Sequence, residues 1–392
     1  MKVSKTEILL IALLSAYILI SMYGRANAVM GKFSVEDESY IDYTKLVILP
    51  FIGLSLVLLQ KKYYVFSGSK YLFLGWLFVV SLSNLLFIPV DRFVSYSLQQ
   101  TIWILSTYLF YNVGKKYVSP FVMTTYITFM CIFMASCVYN ELFTIRTQVA
   151  YASKAQVNEI YFLLCMIPWV MLIEGKYYKY IRVLLLFLIC GFTFYSMKRA
   201  AIVGLVAFVL LYLYGLMRQN KFSSRNFYLV ILLCIAGYYS YTYVDNMYGG
   251  HLTNRMESMA SDEGSGRIGL YGMIINSLYE FEIYNWLIGA GRGTIKEVAE
   301  GHSAHNEYLE VFYSWGIVGL CIYISILWGY FKKLKSYIQS KNFPICMGTI
   351  GMFVSMSMVT HFVINPYLMC IFTSFWGYAI SKNKQAKLAK IV

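Results

Sequence analysis

The feature that most limits how this chain can fold is a series of long apolar runs that are nearly free of charged residues. A helix needs roughly 17–25 apolar residues to cross a bilayer, whereas barrel strands are short and alternate in polarity. Apolar residues make up 59% of the 392 and charged residues only 13%, against about a quarter in soluble chains. Twelve runs qualify, at approximately residues 7–23, 45–60, 71–90, 93–114, 117–140, 159–175, 179–197, 200–217, 226–244, 307–331, 343–361 and 366–381. We therefore predict an all-α polytopic membrane protein with about 12 transmembrane helices, forming a single integral membrane domain over residues 1–392.

The basic residues are distributed asymmetrically between alternate connections. With the N-terminus placed in the cytoplasm, the inner segments contain 21 of the 33 lysines and arginines but only Glu7 and Glu174 of the 19 acidic residues. Short cytoplasmic loops are enriched in lysine and arginine, so both termini are predicted to be cytoplasmic. The net charge of +14 then reflects loops that face lipid headgroups, and we expect membrane lipids rather than nucleic acid as partners.

The N-terminal run allows two interpretations. A basic start, an apolar run and Ala26-Asn27-Ala28 together are typical of a cleaved signal peptide. The run is long for such a peptide, so an uncleaved first helix is favoured. Either interpretation leaves the orientation of the remaining spans unchanged.

The longest connection, residues 245–306, lies on the outer side between predicted helices nine and ten. Long connections of this kind are commonly functional, and this one contains His251, His302 and His305, three of the four histidines. Arg267 is predicted to stand at the N-terminus of an amphipathic helix capped by Ser265, where backbone amides favour an anion; a solvated arginine is the alternative. The apolar residues that predict this helix by their spacing are Ile268, Tyr271, Ile274, Ile275, Leu278 and Phe281.

Two other basic positions could contact a phosphate. Lys198 and Arg199 form a very short outer link between predicted helices seven and eight, where an unpartnered cation is costly and a guanidinium fork suits phosphate oxygens. Snorkelling to outer headgroups is the alternative. Alternating glycines from Gly289 to Gly293 surround Arg292 and would let backbone amides approach a phosphate. No predicted strand precedes them, so the glycines do not predict a nucleotide-binding loop. A plain turn is the alternative to a phosphate contact.

The segment that follows is the strongest candidate for catalysis. His305 stands at the mouth of the tenth predicted helix, where an imidazole of near-neutral pKa can accept a proton. Together with His302 it could instead bind a metal, but the sequence lacks a complete ligand set, so no metal site is predicted. An idle surface histidine is the remaining alternative. His361, near the outer end of the eleventh helix, is predicted to pack between helices or line the edge of a pore.

In their order along the chain, these residues resemble a known family. Lys198-Arg199-Ala200 opens a helix, and Gly266-Arg267 lies in the large outer loop. The loop ends in Gly289-x-Gly291-x-Gly293, which His305-Asn306-x-x-Leu309 and Gly316-x-x-Gly319 follow. The chain thereby resembles the superfamily of O-antigen polymerases (Wzy-type) and O-antigen ligases. The detailed resemblance covers about residues 195–330, while the N-terminal half agrees in helix count.

The resemblance implies a GT-C-like fold and a metal-independent, inverting glycosyltransferase of the bacterial cytoplasmic (inner) membrane, with an extracytoplasmic active site and no cofactor. It implies transfer of a glycan from undecaprenyl pyrophosphate to an acceptor sugar during the synthesis of O-antigen, capsule or exopolysaccharide, with a chain-length regulator as a further partner. By position, His305 would be the catalytic base, and Arg199, Arg267 and, less clearly, Arg292 would bind the donor pyrophosphate. Four neighbours would support them: Lys198, His302, Asn306 and Glu307.

Three functions remain open, and the first two differ in the acceptor. A polymerase, which we favour by analogy, extends a second lipid-linked repeat unit, and a ligase transfers the glycan to lipid A-core or to a protein. A transporter of lipid-linked sugars or small solutes would also fit twelve helices. Such a carrier is expected to bury ionisable groups at mid-membrane, whereas here they gather in one outer loop.

Overall fold

The computed structural model describes residues 3–29, 65–148, 159–196, 198–220 and 267–388, with isolated residues between 235 and 253. The described part is helical and contains no strand. Its helices are α1 (Lys5–Val29), α2 (Ser69–Phe87), α3 (Val90–Gly114), α4 (Pro120–Gln148), α5 (Ile160–Leu164), α6 (Ile167–Met171), α7 (Tyr178–Tyr195), α8 (Arg199–Arg218), α9 (Arg267–Ser277), α10 (Ile283–Ile288), α11 (Ile295–Val298), α12 (Glu307–Lys335), α13 (Phe343–Ser357) and α14 (Pro366–Leu388). The predicted all-α class is therefore confirmed for these residues.

Within the described residues, six helices are long and apolar enough to cross a membrane, namely α1, α2, α4, α7, α8 and α12. Each coincides with a predicted span. Helices α3 and α14 have 25 and 23 residues and occupy the spans predicted at 93–114 and 366–381. The spans predicted at 45–60 and 226–244 lie wholly or almost wholly outside the described residues, so the total number of crossings stays a prediction.

The span predicted at 159–175 differs from the structure. This segment forms the two short helices α5 and α6, whose residues are almost all buried. Pro168 lies near the start of α6 and has no backbone N–H to donate to Leu164, so the regular helical hydrogen-bond pattern is interrupted here. The segment is buried within the protein, and whether it crosses the membrane stays a prediction.

Helices α8 and α13 pack closely and antiparallel. A Cβ atom added at Gly215 would lie 2.6 Å from the Cα atom of Pro344, and one added at Gly204 would lie 2.6 Å from the side chain of Met356. Small residues allow membrane helices to approach one another to this degree. Because the two helices run in opposite directions, the end of α13 lies beside the start of α8, and Lys198 immediately precedes α8.

Helix α12 is interrupted at Trp315 and Gly316, where the backbone dihedrals are not helical. The interruption leaves two carbonyl groups without helical partners, and the glycine-containing segment 289–291 satisfies them: the N–H of Ala290 donates to Tyr313 O at 2.9 Å, and that of Gly291 to Ser314 O at 3.0 Å. The predicted alternating glycines therefore support this interruption. A Cβ added at position 289 would approach the backbone of residue 314 to 2.3 Å.

Candidate functional site

Three separate segments bring charged side chains together around His305. Lys198 precedes α8, Arg267 is the first residue of α9, and His302 lies in the loop before α12. All three are close enough to His305 to act on its imidazole electrostatically. Arg199 is half-buried at the first position of α8, next to Lys198. The structure thus gathers most of the residues that the sequence predicts for the site.

The backbone around His305 is held firmly. His305 has φ 50°, in the left-handed region that few non-glycine residues adopt. On one side of it, the buried carboxylate of Glu310 accepts a 2.8 Å hydrogen bond from the N–H of Ala304. On the other side, the Asn306 side chain caps α12 by accepting from the N–H groups of residues 308 and 309 at 3.0 and 3.1 Å. These contacts fix the backbone that carries the imidazole.

The electrostatic surroundings favour the neutral form of His305. Burial, followed by the positive charges of Arg267, Lys198 and His302, lowers its pKa to about 4. At neutral pH the ring therefore has a free lone pair and can accept a proton. The positive side chains that disfavour protonation of His305 would attract a negatively charged ligand. The same surroundings therefore suit an anion.

His361 lies beside His305, a proximity that the sequence analysis did not predict. Its ring centroid lies 5.4 Å from that of His305, and its Nε2 atom is 3.4 Å from Ser303 Oγ. The predicted topology places both His361 and His305 on the outer side of the membrane. This shared side was the only sequence feature that could indicate their proximity. Predicting their proximity would have required knowing how α8, α12 and α13 pack.

Arg292 occupies a different position from the other predicted phosphate ligands. Its side chain is nearly buried, and its guanidinium donates to Gln99 Oε1 and to the carbonyl of Ile364, both at 2.8 Å. The guanidinium also lies 4.6 Å from the centre of the Tyr96 ring, and its backbone N–H donates to Asn84 Oδ1 at 3.1 Å. Burial lowers the pKa of Arg292. These contacts favour a role in joining the outer segments over direct phosphate binding.

Glu307 is fully buried at the start of α12. It accepts hydrogen bonds from the hydroxyl of Tyr323 and from the N–H groups of Phe362 and Val363. A buried carboxylate that is bonded in this way holds protein backbone. Its support of the site is therefore indirect, through the loop that carries His361.

The amphipathic helix predicted in the outer loop is present as α9. Leu270 and Ile274 are buried against a small cluster that includes Ile295 and Tyr313, whereas Ile268 and Ile275 are exposed. In a chain that spans a membrane, exposed apolar residues on an outer helix can contact lipid, so spacing alone does not identify the face that packs on protein. Arg267 begins the helix as predicted; Ser265 and His251 lie outside the described residues.

No group of three or more histidine, cysteine, aspartate or glutamate side chains within the described ranges is placed to hold a metal ion. Positive charge at the site comes from protein side chains and from the N-termini of α8 and α9. Helix N-termini carry partial positive charge and free N–H groups, both of which favour anions.

Residues 184–324 match the family model described as O-antigen ligase. The matched region includes the basic side chains around His305 and ends before His361. A search of curated protein sequences finds no matching protein. The family match confirms the resemblance identified from the sequence and, with the apolar helices, indicates a glycosyltransferase-like, multi-pass membrane enzyme.

Proposed function

We propose that this protein is a polysaccharide polymerase that transfers a glycan from undecaprenyl pyrophosphate to an acceptor sugar at the outer face of the bacterial cytoplasmic membrane. The observation that carries the proposal is the position of His305, with Arg267, Lys198 and His302 from three segments of the chain close to its imidazole. Such a transfer requires a base next to a binding site for a pyrophosphate leaving group, and an imidazole close to several cations is consistent with that requirement. The region that matches the O-antigen ligase model contains all four residues.

In the proposed reaction, His305 accepts the proton of an acceptor hydroxyl while the hydroxyl oxygen forms a bond to the anomeric carbon. The bond from that carbon to the pyrophosphate oxygen breaks, its electron pair leaves with the pyrophosphate, and the configuration at the carbon inverts. Arg267 and Arg199 bind the leaving pyrophosphate and stabilise the charge that it gains in the transition state. Since these side chains supply the positive charge, the proposed transfer is metal-independent.

The acceptor of the polymerase is a second lipid-linked repeat unit of an O-antigen, capsule or exopolysaccharide, and a chain-length regulator is a further proposed partner. A second candidate function is ligation of the glycan to lipid A-core or protein, which the description of the matching family favours. Both candidates use the same donor and the same base. They differ in the product, so an experiment that displays the product separates them.

The test is complementation of cells that lack this protein, with surface and lipid-linked glycans separated on gels. The variants His305→Ala, Arg267→Ala and Arg199→Ala are compared with wild type at matched membrane expression. Lys296→Ala, which removes an exposed cation from the same outer region, is the control. We expect loss of each arginine to reduce transfer by roughly 100-fold or more, as for other donors that stabilise transition-state charge, and the control to behave as wild type.

Long chains that disappear while single repeats remain would support the polymerase. Long chains that accumulate unattached on the lipid carrier would support the ligase. If lipid-linked repeats accumulate on the inner side of the membrane, the protein is a transporter, and if the three variants behave as wild type, the proposed site is wrong.

A further inference from the structure

The loop of residues 358–365, which connects α13 to α14, is held by a buried carboxylate. Glu307 accepts from the N–H of Val363 at 2.9 Å and from that of Phe362, and both of those side chains are fully buried. A buried carboxylate is costly unless its oxygens are bonded. Here the bonds fix two consecutive peptide groups of the loop to the first residue of α12.

Two further buried side chains hold the same loop from other directions. Gln100, in α3, donates to the carbonyl of Val363 at 2.8 Å, and Arg292 donates to that of Ile364 at 2.8 Å. Gln100 and Arg292 belong to different segments from Glu307, so three parts of the chain converge on the peptide groups of residues 362–364. A loop tied in this way has little freedom to move relative to α12.

The ionisable side chain that this loop presents is His361. Its ring faces His305 at a centroid distance of 5.4 Å with the planes inclined by 38°, and Nε2 lies 3.4 Å from Ser303 Oγ. The carbonyl of His361 accepts from the Asn365 side chain at 2.9 Å. His361 therefore has a fixed backbone and a half-buried ring, as a residue that contacts a ligand requires.

We propose that His361 is a binding residue of the same site, where its ring N–H donates a hydrogen bond to a sugar hydroxyl of the acceptor, and that Glu307 is the positioning residue for His361. The inference rests on the proposed glycan transfer. Two imidazoles with centroids 5.4 Å apart can contact two neighbouring hydroxyls of one sugar ring, with His305 at the hydroxyl that attacks. A hydrogen bond that the acceptor makes equally when bound and in the transition state contributes to binding, so its loss appears in KM.

The first experiment measures transfer by the full-length protein in lipid nanodiscs. The substrate is the lipid-linked glycan extracted from cells that lack this protein. We expect His361→Gln to raise the apparent KM at least tenfold and to change kcat less than threefold. Met358→Leu, which alters an exposed side chain in the same loop, should match wild type and serves as control.

A second measurement, chemical modification of imidazoles by diethyl pyrocarbonate read by peptide mass spectrometry, does not depend on activity. We expect the lipid-linked glycan to slow modification of both His305 and His361 at least fivefold. Inorganic pyrophosphate alone should protect His305 and change the rate at His361 less than twofold, because it lacks the acceptor sugar.

The positioning role of Glu307 is tested by a double-mutant cycle. Glu307→Gln keeps the shape of the side chain but has one carbonyl oxygen in place of two acceptors, so the loop should shift and the apparent KM should rise. In the His361→Gln background, the same change should raise KM less than twofold further, since its effect is transmitted through His361. A residue with only a structural role would give equal effects in both backgrounds, and that result would overturn the assignment.

Two failures are distinguishable. If wild type transfers glycan and His305→Ala does not, while His361→Gln retains the wild-type KM and the glycan leaves His361 reactive, the inference is wrong and the proposed function stands. If wild type transfers nothing and the glycan protects neither histidine, the proposed function fails, and the inference fails with it.

Discussion

Replacing Arg292 with methionine should destabilise the protein without selectively weakening donor binding. The guanidinium makes two charge-assisted hydrogen bonds of 2.8 Å, to Gln99 and to the carbonyl of Ile364, and lies over Tyr96. Hydrogen bonds to charged groups contribute about 1.5–3 kcal/mol each and a desolvated cation–π contact about 1–2 kcal/mol. Removing the buried charge also removes its desolvation cost, which offsets roughly half of that sum. Methionine keeps most of the apolar stem, so we expect a net loss of about 3 kcal/mol.

The assay is thermal unfolding in detergent micelles, followed by tryptophan fluorescence, alongside glycan transfer with increasing donor. Arg292→Met should lower Tm by roughly 5 °C, given how stability scales with transition temperature in chains of a few hundred residues. Arg292→Lys keeps the charge but loses the forked guanidinium, so its Tm should lie between those of wild type and Arg292→Met. Arg267→Met is the comparison, because Arg267 is half-buried at the start of α9 and should lose transfer while keeping Tm within about 1 °C of wild type.

The reasoning would be refuted by the reverse pattern. If Arg292→Met unfolds at the wild-type temperature and raises the KM for the donor tenfold, the arginine binds pyrophosphate directly. The hydrogen bonds to Gln99 and Ile364 would then be replaced by substrate during turnover.

Three further outcomes are expected. Asn306→Ala should lose about 1–2 kcal/mol of stability through loss of the helix cap, with Asn306→Asp close to wild type in the same unfolding assay. Gly289→Ala should yield little folded protein in the membrane, because the residue has φ 79° and backbone lies 2.3 Å from an added Cβ, whereas Gly269→Ala, with no atom within 4 Å of an added Cβ, should be tolerated. Arg267→Gln should raise the pKa of His305 from about 4. Because only the neutral ring reacts with diethyl pyrocarbonate, the midpoint of its pH–reactivity curve should move upward, and an unchanged midpoint would show that the two side chains do not interact.

The sequence was sufficient to predict the elements whose signal is local. The apolar runs at 7–23, 71–90, 117–140, 179–197, 200–217 and 307–331 all correspond to long apolar helices, because transfer of a run into lipid depends on its own composition. The start of α9 at Arg267 was also predictable from spacing. His305 could be singled out because it lies at the end of the long outer connection, directly before the apolar run at 307–331.

The interruptions of regular helices were harder to predict from the sequence. Pro168 signals a break in principle, but the hydropathy of residues 159–175 is that of a span, so the division into α5 and α6 was not evident from the composition. The interruption at Gly316 depends on carbonyl groups being satisfied by residues 289–291, more than twenty positions away. A string of alternating glycines therefore has the same appearance in sequence whether it approaches a phosphate or, as here, a neighbouring helix.

The roles of the arginines show why sequence alone could not separate structural from functional charge. Arg267 and Arg292 both lie in the outer region and both have the fork that suits phosphate. Arg292 is nearly buried and its guanidinium is bonded to protein acceptors, so the protein itself compensates its charge. Arg267 stands at a helix N-terminus, where the macrodipole opposes a cation, and its charge further lowers the proton affinity of His305. Gathering positive charge in this way is unfavourable for the free protein and becomes favourable when an anion binds. The same anion would raise the proton affinity of His305, so we infer that donor binding makes the base stronger at the moment when it must accept the acceptor's proton.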